Sequence, residues 1–366
     1  MKSFCILAAF SFATSVFSQS LASPEVQADG RVTFRLKAPE ATNVEVRCES
    51  LPAAPMQKDE QGVWSFTTGP LAPDYYGYTF LVDSLRAMDP VNPLMKYNLL
   101  NIESEAHVPG PASLPWEVND VPHGVLHRHF YKSAAAGDER AYFVYTPPAY
   151  KASSRKRYPV LYLLHGYSDD ASAWWSVGQA NIILDNLIAR RQAKPMIVVM
   201  PLGYGTMEIV QRGWSGARAP GLWQRNIDQF RGALLDEVLP QVEGAYRIAT
   251  NRQNRAMAGL SMGGAESLTV GLNNLDRFAW IGAFSSGGLD TNYVQRFPDL
   301  DARANDRLRL LWISCGKDDG LVGANRAFVE WLNSKDIHLT WKEVDGAHSW
   351  RVWRRNLAEF VPLLFR

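Results

Sequence analysis

The chain has 366 residues, of which 46% are hydrophobic and 20% charged, with a formal net charge of +1. That composition has material for a sizeable core, and at roughly 150 residues per domain the length suits two domains. It excludes a disordered chain and a collagen-like or coiled-coil rod, and the absence of a strongly basic or acidic run leaves a nucleic-acid role without electrostatic support.

Residues 1–18 read as a signal peptide. Lys2 supplies a small positive start, Phe4 to Phe17 is apolar or small without a charge, and Val16 and Ser18 precede Gln19 in a workable cleavage pattern. The apolar run is too short for a confident membrane span. Lys2 is the one charge in this segment, so its removal brings the 38 basic residues level with the 37 acidic ones. The expectation is a secreted or periplasmic protein with no membrane span after signal removal. Cys5 leaves with the segment. Cys48 and Cys315 remain, far apart, and no Cys/His spacing suggests zinc.

Residues 27–113 read as a small β-sandwich. Val32, Phe34 and Leu36 alternate with Thr33, Arg35 and Lys37, the period of a half-buried strand. Val44 and Val46 repeat the pattern, and 63–67 and 76–82 are further strand candidates. Pro39, Pro52, Pro55, Gly62, Gly69 and Pro73 punctuate between them. The segments RVTFRLKAPEATNVEV, GVWSFTTGPL, YYGYTFLVD and DPVNP resemble the immunoglobulin-like early-set sandwich at the N-terminus of glycogen-branching and isoamylase-type enzymes. That resemblance implies either weak glycan contact or a spacer or active-site wall.

Residues 101–119 are rich in proline and small or polar residues and suggest an interdomain connection. Residues 114–140 then hold a linker and the first strand region, with strand character at 125–131 and again at 141–145.

Residues 141–366 alternate strand and helix. Residues 159–164 and 196–200 are apolar on both faces, as central parallel strands are. Ala180 to Arg190 suggests a helix. Residues 227–246 suggest a long amphipathic one, with Phe230, Leu234, Leu235, Val238, Leu239 and Val242 on one broad face and Pro240 placed to bend it. Further strands are expected at 255–260, 278–284, 308–315 and 339–344. Helices are expected from Ala265, around 328–332 and at 353–364. The fold class is α/β, an open doubly wound sheet.

Gly259-Leu260-Ser261-Met262-Gly263 is a GxSxG element between a strand and a helix. A sharp turn there projects the serine oxygen over the sheet edge, and the helix N-terminus offers N–H donors where negative charge develops. The pattern makes Ser261 the candidate nucleophile. His348, in a loop before the last helix, is the candidate general base and acid, while His165 is expected to shape the oxyanion loop by its side chain. The orienting acid should follow the strand at 308–315. Asp318 and Asp319 both stand there, and spacing alone does not choose between them. The order serine, aspartate, histidine is that of the α/β-hydrolase fold. The oxyanion hole is expected from the backbone N–H groups of Met262 and Tyr167. The reading requires no cofactor and no metal.

The domain from 141 onward resembles the esterase D-like group of carbohydrate esterases. This group includes feruloyl and acetyl xylan esterases, enterochelin esterase-type enzymes and mycolyltransferases. The segments that carry the resemblance are YPVLYLLHGYSDDASAWW, GQANIILDNLI, LLDEVLPQVEGAYRI, AMAGLSMGGAESL, FSSGG, CGKDDGLVGANRAFVEWL and GAHSWRVWRRNL. In its secreted feruloyl esterases the acid lies three residues after the glycine of the CG segment, which implies Asp319, with Asp318 as the fallback. Trp174, Trp175, Trp214, Trp223 and Trp350 cluster near the expected strand ends. Trp175, Trp214, Trp223 and Trp350 are candidate walls for an aromatic ring or a sugar face, and Trp174 and Trp175 also match framework positions of the family motif. The expected partners are feruloylated or acetylated xylan fragments, with release of hydroxycinnamic acids the first reading. Acetyl xylan or another carbohydrate acyl ester, an enterochelin-type siderophore ester, and a non-catalytic glycan-binding protein are the alternatives.

Overall fold

The computed structural model describes residues 21–289 and 291–366. The expected signal segment, residues 1–18, lies outside the described residues.

Two antiparallel sheets form the N-terminal part. One runs in the spatial order Glu25–Val26, Val32–Lys37, Val63–Thr67, Gln57–Lys58. The other runs Ala54–Pro55, Val44–Cys48, Asp74–Val82, Glu103–Val108, Met95–Lys96, with Leu85–Ala87 pairing separately on Asp74–Val82. The alternating apolar residues do what period two dictates: Val32, Phe34, Leu36, Val44, Val46, Tyr76, Tyr78 and Phe80 meet in one core.

The expected connection over 101–119 is overturned in its first half. Glu103–Val108 is a strand of the second sheet, with Ser104 opposite Tyr78 and Ala106 opposite Tyr76. Its sequence, ESEAHV, hid this because Glu103, Glu105 and His107 alternate onto the face away from the sandwich core. There Glu103 meets Lys96 and His107 meets Glu117, while Ser104 joins Ala106 and Val108 on the core face. Ser104 is buried and its Oγ accepts the Asp89 N–H at 2.9 Å. The remainder is no loose tether either. Trp116 is buried in the core of the following domain, and Asn186 Nδ2 donates to the carbonyls of Pro115 and Glu117.

The second domain is built on an eight-stranded sheet. Its spatial order is Val125–Lys132, Glu139–Thr146, Ile197–Pro201, Val160–Leu164, Arg255–Leu260, Trp280–Phe284, Leu310–Gly316, Thr340–Val344. The first two strands pair antiparallel with their neighbours, and the six from Ile197–Pro201 onward are parallel. The strand Val160–Leu164 shows why both faces must be covered. Leu161 and Leu163 face a core shared with the helices Ala180–Ala189 and Trp350–Phe360. Val160, Tyr162 and Leu164 face the opposite core, shared with Phe230, Leu234, Val238 and Val242.

The long helix expected over 227–246 begins earlier, at Leu222, and is not uniform. It runs as α-helix over Leu222–Gly232, widens to a π-helical segment over Ala233–Val238, and resumes as α-helix over Leu239–Ala245. Pro240 stands in the first turn of the last segment, and the widened turn ends two residues before this residue that has no N–H to give. Cys48 and Cys315 are both buried and free.

Candidate active site

Ser261 sits between the strand Arg255–Leu260 and the helix Met262–Leu272, at φ 51° and ψ −116°. A non-glycine residue holds such a backbone only where its surroundings enforce it. Here the enforcement is visible. Ser261 N–H donates to Phe284 O at 2.9 Å, while Ser261 O accepts from Gly287 N and Ala265 N. The glycines of the motif are there for space. A Cβ on Gly263 would lie 2.5 Å from His165 O and 2.6 Å from Leu164 O, both backbone atoms.

His348 Nε2 lies 3.0 Å from Ser261 Oγ, and His348 Nδ1 lies 2.8 Å from Asp319 Oδ2. Asp319 is 2% exposed, and its other oxygen accepts the Leu321 N–H at 2.8 Å. Burial would raise the Asp319 carboxyl, but the hydrogen bond and charge of His348, together with the Leu321 N–H, outweigh it and hold the group below the usual carboxylate range. Asp318 is exposed, and its backbone N–H bonds Gly346 O. Of the two adjacent carboxylates, the geometry therefore brings Asp319 to the histidine.

The loop expected to supply an oxyanion donor follows the strand Val160–Leu164. A Cβ on Gly166 would fall 3.3 Å from Ser261 Cβ, so this loop lies directly against the serine. Among the described residues no backbone carbonyl takes the N–H of Tyr167 or of Met262. His165 shapes the loop, as the sequence suggests. Its Nε2 accepts the Gly203 N–H at 2.8 Å, which leaves Nδ1 to donate to Gly166 O at 2.8 Å. Full burial lowers its pKa and keeps the ring neutral, as this pair of bonds requires. The Tyr167 hydroxyl lies 2.6 Å from Ile209 O and 2.5 Å from Gly213 O, tying the loop to the segment that carries Trp214.

The cleft above Ser261 and His348 has a volume of about 450 Å³. Tyr167, Trp214, Trp350 and Trp353 line it. Trp214 is 59% exposed and stands 5.4 Å from the Tyr167 ring, a free aromatic face at the cleft mouth. Trp350 is 4% exposed and is braced by Trp174 and Trp353. Two of the expected aromatic walls stand elsewhere. Trp175 packs on Phe143, at 5.6 Å between centroids, because the short helix Ala173–Ser176 turns it toward the strand Glu139–Thr146. Trp223 packs behind Gly288, in the cluster that holds Met262, and does not line the cleft. Trp174 is buried, its Nε1 donating to Leu164 O at 2.8 Å.

Sequence reasoning named none of the cleft residues that come from the first domain. Glu49, Ser50, Lys96, Asn98, Asn101 and Glu103 form one wall of the same cleft. Lys96 Nζ lies 3.2 Å from Glu49 and 3.1 Å from Glu103. Burial would lower the ammonium pKa, but the two carboxylates raise it instead. Asn98 Nδ2 donates to Ser168 Oγ and Asp169 Oδ1, reaching across to the oxyanion loop. No sequence signal marks these residues, since they lie more than 150 positions before Ser261. A larger hollow of about 660 Å³, lined by Trp116, Arg190, Arg355 and Arg366, holds neither Ser261 nor His348. Among the described residues there is no group of three metal-ligating side chains, and no helix is long and apolar enough to cross a membrane.

A family described as putative esterase matches residues 133–364. The chain belongs to this esterase family. The esterase is 30% identical, over 94% of its length, to the endo-1,4-β-xylanase/feruloyl esterase of Xylanibacter ruminicola, and spans 46% of that relative. The ferulic acid esterase of Anaeromyces mucronatus superposes with a TM-score of 0.60 at 25% identity, covering 70% of the esterase and 96% of that chain. The enterobactin esterase of Shigella flexneri superposes with a TM-score of 0.67, covering 91% and 92% of the two chains. At 20% identity that last likeness shows the fold alone, but it extends over both parts of the chain.

Proposed function

We propose that the esterase releases ferulic or related hydroxycinnamic acids from plant cell-wall arabinoxylan, with Ser261, His348 and Asp319 as nucleophile, base and orienting acid. The observation that carries the aromatic acyl group is the exposed Trp214 face on Tyr167, beside the serine. The Xylanibacter relative, matched over nearly the whole chain, supports it.

In this reading Ser261 Oγ attacks the ester carbonyl carbon as its proton passes to His348 Nε2. Asp319 holds the Nδ1–H and stabilises the imidazolium. The N–H groups of Met262 and Tyr167 receive the charge on the carbonyl oxygen. Collapse breaks the bond to the alcohol, which leaves with the proton from Nε2. Water then attacks the acyl-serine, gives a proton to the same nitrogen, and the acid departs as Ser261 is reprotonated.

A siderophore ester is the second reading, supported by the fold shared with the enterobactin esterase over 91% of the chain. The cleft wall weighs against it, because Glu49 and Glu103 outnumber Lys96 where an anionic ligand would seek cations. We further propose that the chain is secreted or periplasmic, on the sequence of its first 18 residues.

Release from methyl ferulate and from acetylated xylan, measured side by side with Ser261→Ala as the blank, tests the reading. Strong ferulate turnover is expected. Acetate release with little ferulate turnover would replace it by a deacetylase with the same residues beneath.

A further inference from the structure

The wall contributed by the first domain has the chemistry of a binding surface. We propose that it is a subsite for the alcohol half of the ester and takes an uncharged polyhydroxyl ring; this rests on the reading of the cleft as a site for glycan esters.

Position comes first. The wall is tied to both sides of the reaction centre. Ser50 Oγ accepts from Arg351 Nη1 at 2.8 Å, on the helix that starts two residues after His348. Asn98 bonds Ser168 and Asp169 behind the oxyanion loop. The leaving oxygen must stand within reach of His348 Nε2 to take its proton, so the alcohol departs along the cleft that this wall closes.

Hydrogen-bonding capacity comes second. Lys96 Nζ has three N–H donors and spends two on Glu49 Oε2 and Glu103 Oε2. Among the described residues Glu49 Oε1 accepts no hydrogen bond, and the Asn101 side-chain amide makes none. Spare donors and acceptors therefore stand side by side, matching hydroxyls that both donate and accept. Gly77 keeps the cluster compact, because a Cβ there would press on the Lys96 stem and the Glu103 carboxylate.

Charge decides the class. One ammonium between two carboxylates leaves the wall net negative, so it repels a phosphate or carboxylate and tolerates a neutral sugar. The pre-formed salt bridges also fix the donors without ligand, so little ordering cost falls on binding.

The test compares two esters of one acid, methyl ferulate and 5-O-feruloyl-L-arabinofuranose. The wild type should show a kcat/KM at least about 10-fold higher for the sugar ester, a factor in line with one or two charge-assisted hydrogen bonds. Lys96→Met and Asn101→Ala should each reduce that ratio by about 5-fold or more. Among the described residues the Asn101 side chain makes no hydrogen bond, and its backbone N–H bond to Asn98 Oδ1 survives truncation to alanine, so its variant stays informative if Lys96→Met fails to fold. A wild-type ratio near one, or variants that slow both esters equally, would overturn the subsite. If the wild type cleaves neither ferulate, the hydroxycinnamoyl reading falls instead. The same variants on acetylated xylose against ethyl acetate then decide the subsite.

Discussion

In the proposed mechanism Ser261, His348 and Asp319 each do one job, and single substitutions separate them. Ser261→Ala should lower kcat by more than about a thousandfold with the fold intact, since it removes the covalent path; circular dichroism and ester hydrolysis together check this. Asp319→Asn should slow turnover far more than Asp318→Asn, because Asp319 alone meets the His348 ring and Asp318 faces solvent. A titratable group with a different effect is Asp169, buried beside the oxyanion loop. Burial pushes its carboxyl up to about 7, against the hydrogen bond from Asn98. Its folded pKa lies above its unfolded value of 3.8, so the stability it lends is fully present below that value. It is lost as pH rises through about 7. Asp169→Asn should therefore flatten the fall in thermal midpoint between about pH 4 and 7, read by scanning calorimetry at several pH values.

Elements carry these residues into place, and two of them can be broken cleanly. Gly263→Ala would set a Cβ 2.5 Å from His165 O, where backbone must move, and should abolish activity or soluble expression. The last helix, Trp350–Phe360, is held to the first domain by one buried carboxylate. Asp74, fully buried, faces Arg351, Arg354 and Arg355, which lie on one side of the helix at spacings of three and four. Arg351 also stacks over Tyr76 and Arg354 over Tyr75. Removing one partner from a buried ionic cluster costs about 3–5 kcal/mol. Asp74→Ala should cost about that in denaturant unfolding and should lower turnover as well, because the same helix follows His348. Arg326→Ala breaks a surface pair with Glu343 and should cost less than about 1 kcal/mol.

At the scale of the whole molecule, what was legible in the sequence is what local chemistry enforces. Runs apolar on both faces mark strands covered on both sides, and GxSxG between a strand and a helix marks a turn that little else explains. His348 and the Gly316 to Gly320 segment were legible as candidates for base and acid because both lie in loops that follow strands of this sheet. Tertiary context settled the rest. ESEAHV is polar in sequence and a buried strand in the fold. Trp175 and Trp214 look alike in sequence, yet one is turned onto Phe143 and the other left at the cleft mouth. The wall from Glu49 to Glu103 could not be read at all, since no local pattern says which surface of a sandwich will close a cleft formed by another domain.

In the proposed reaction Ser261 forms the acyl-enzyme as His348 takes its proton. Intact-mass analysis after treatment with diethyl p-nitrophenyl phosphate tests it most directly. One diethylphosphoryl adduct is expected, mapped to the peptide containing Ser261 and lost in His348→Ala. A label at another residue, or full esterase activity in a protein labelled at Ser261, would contradict it.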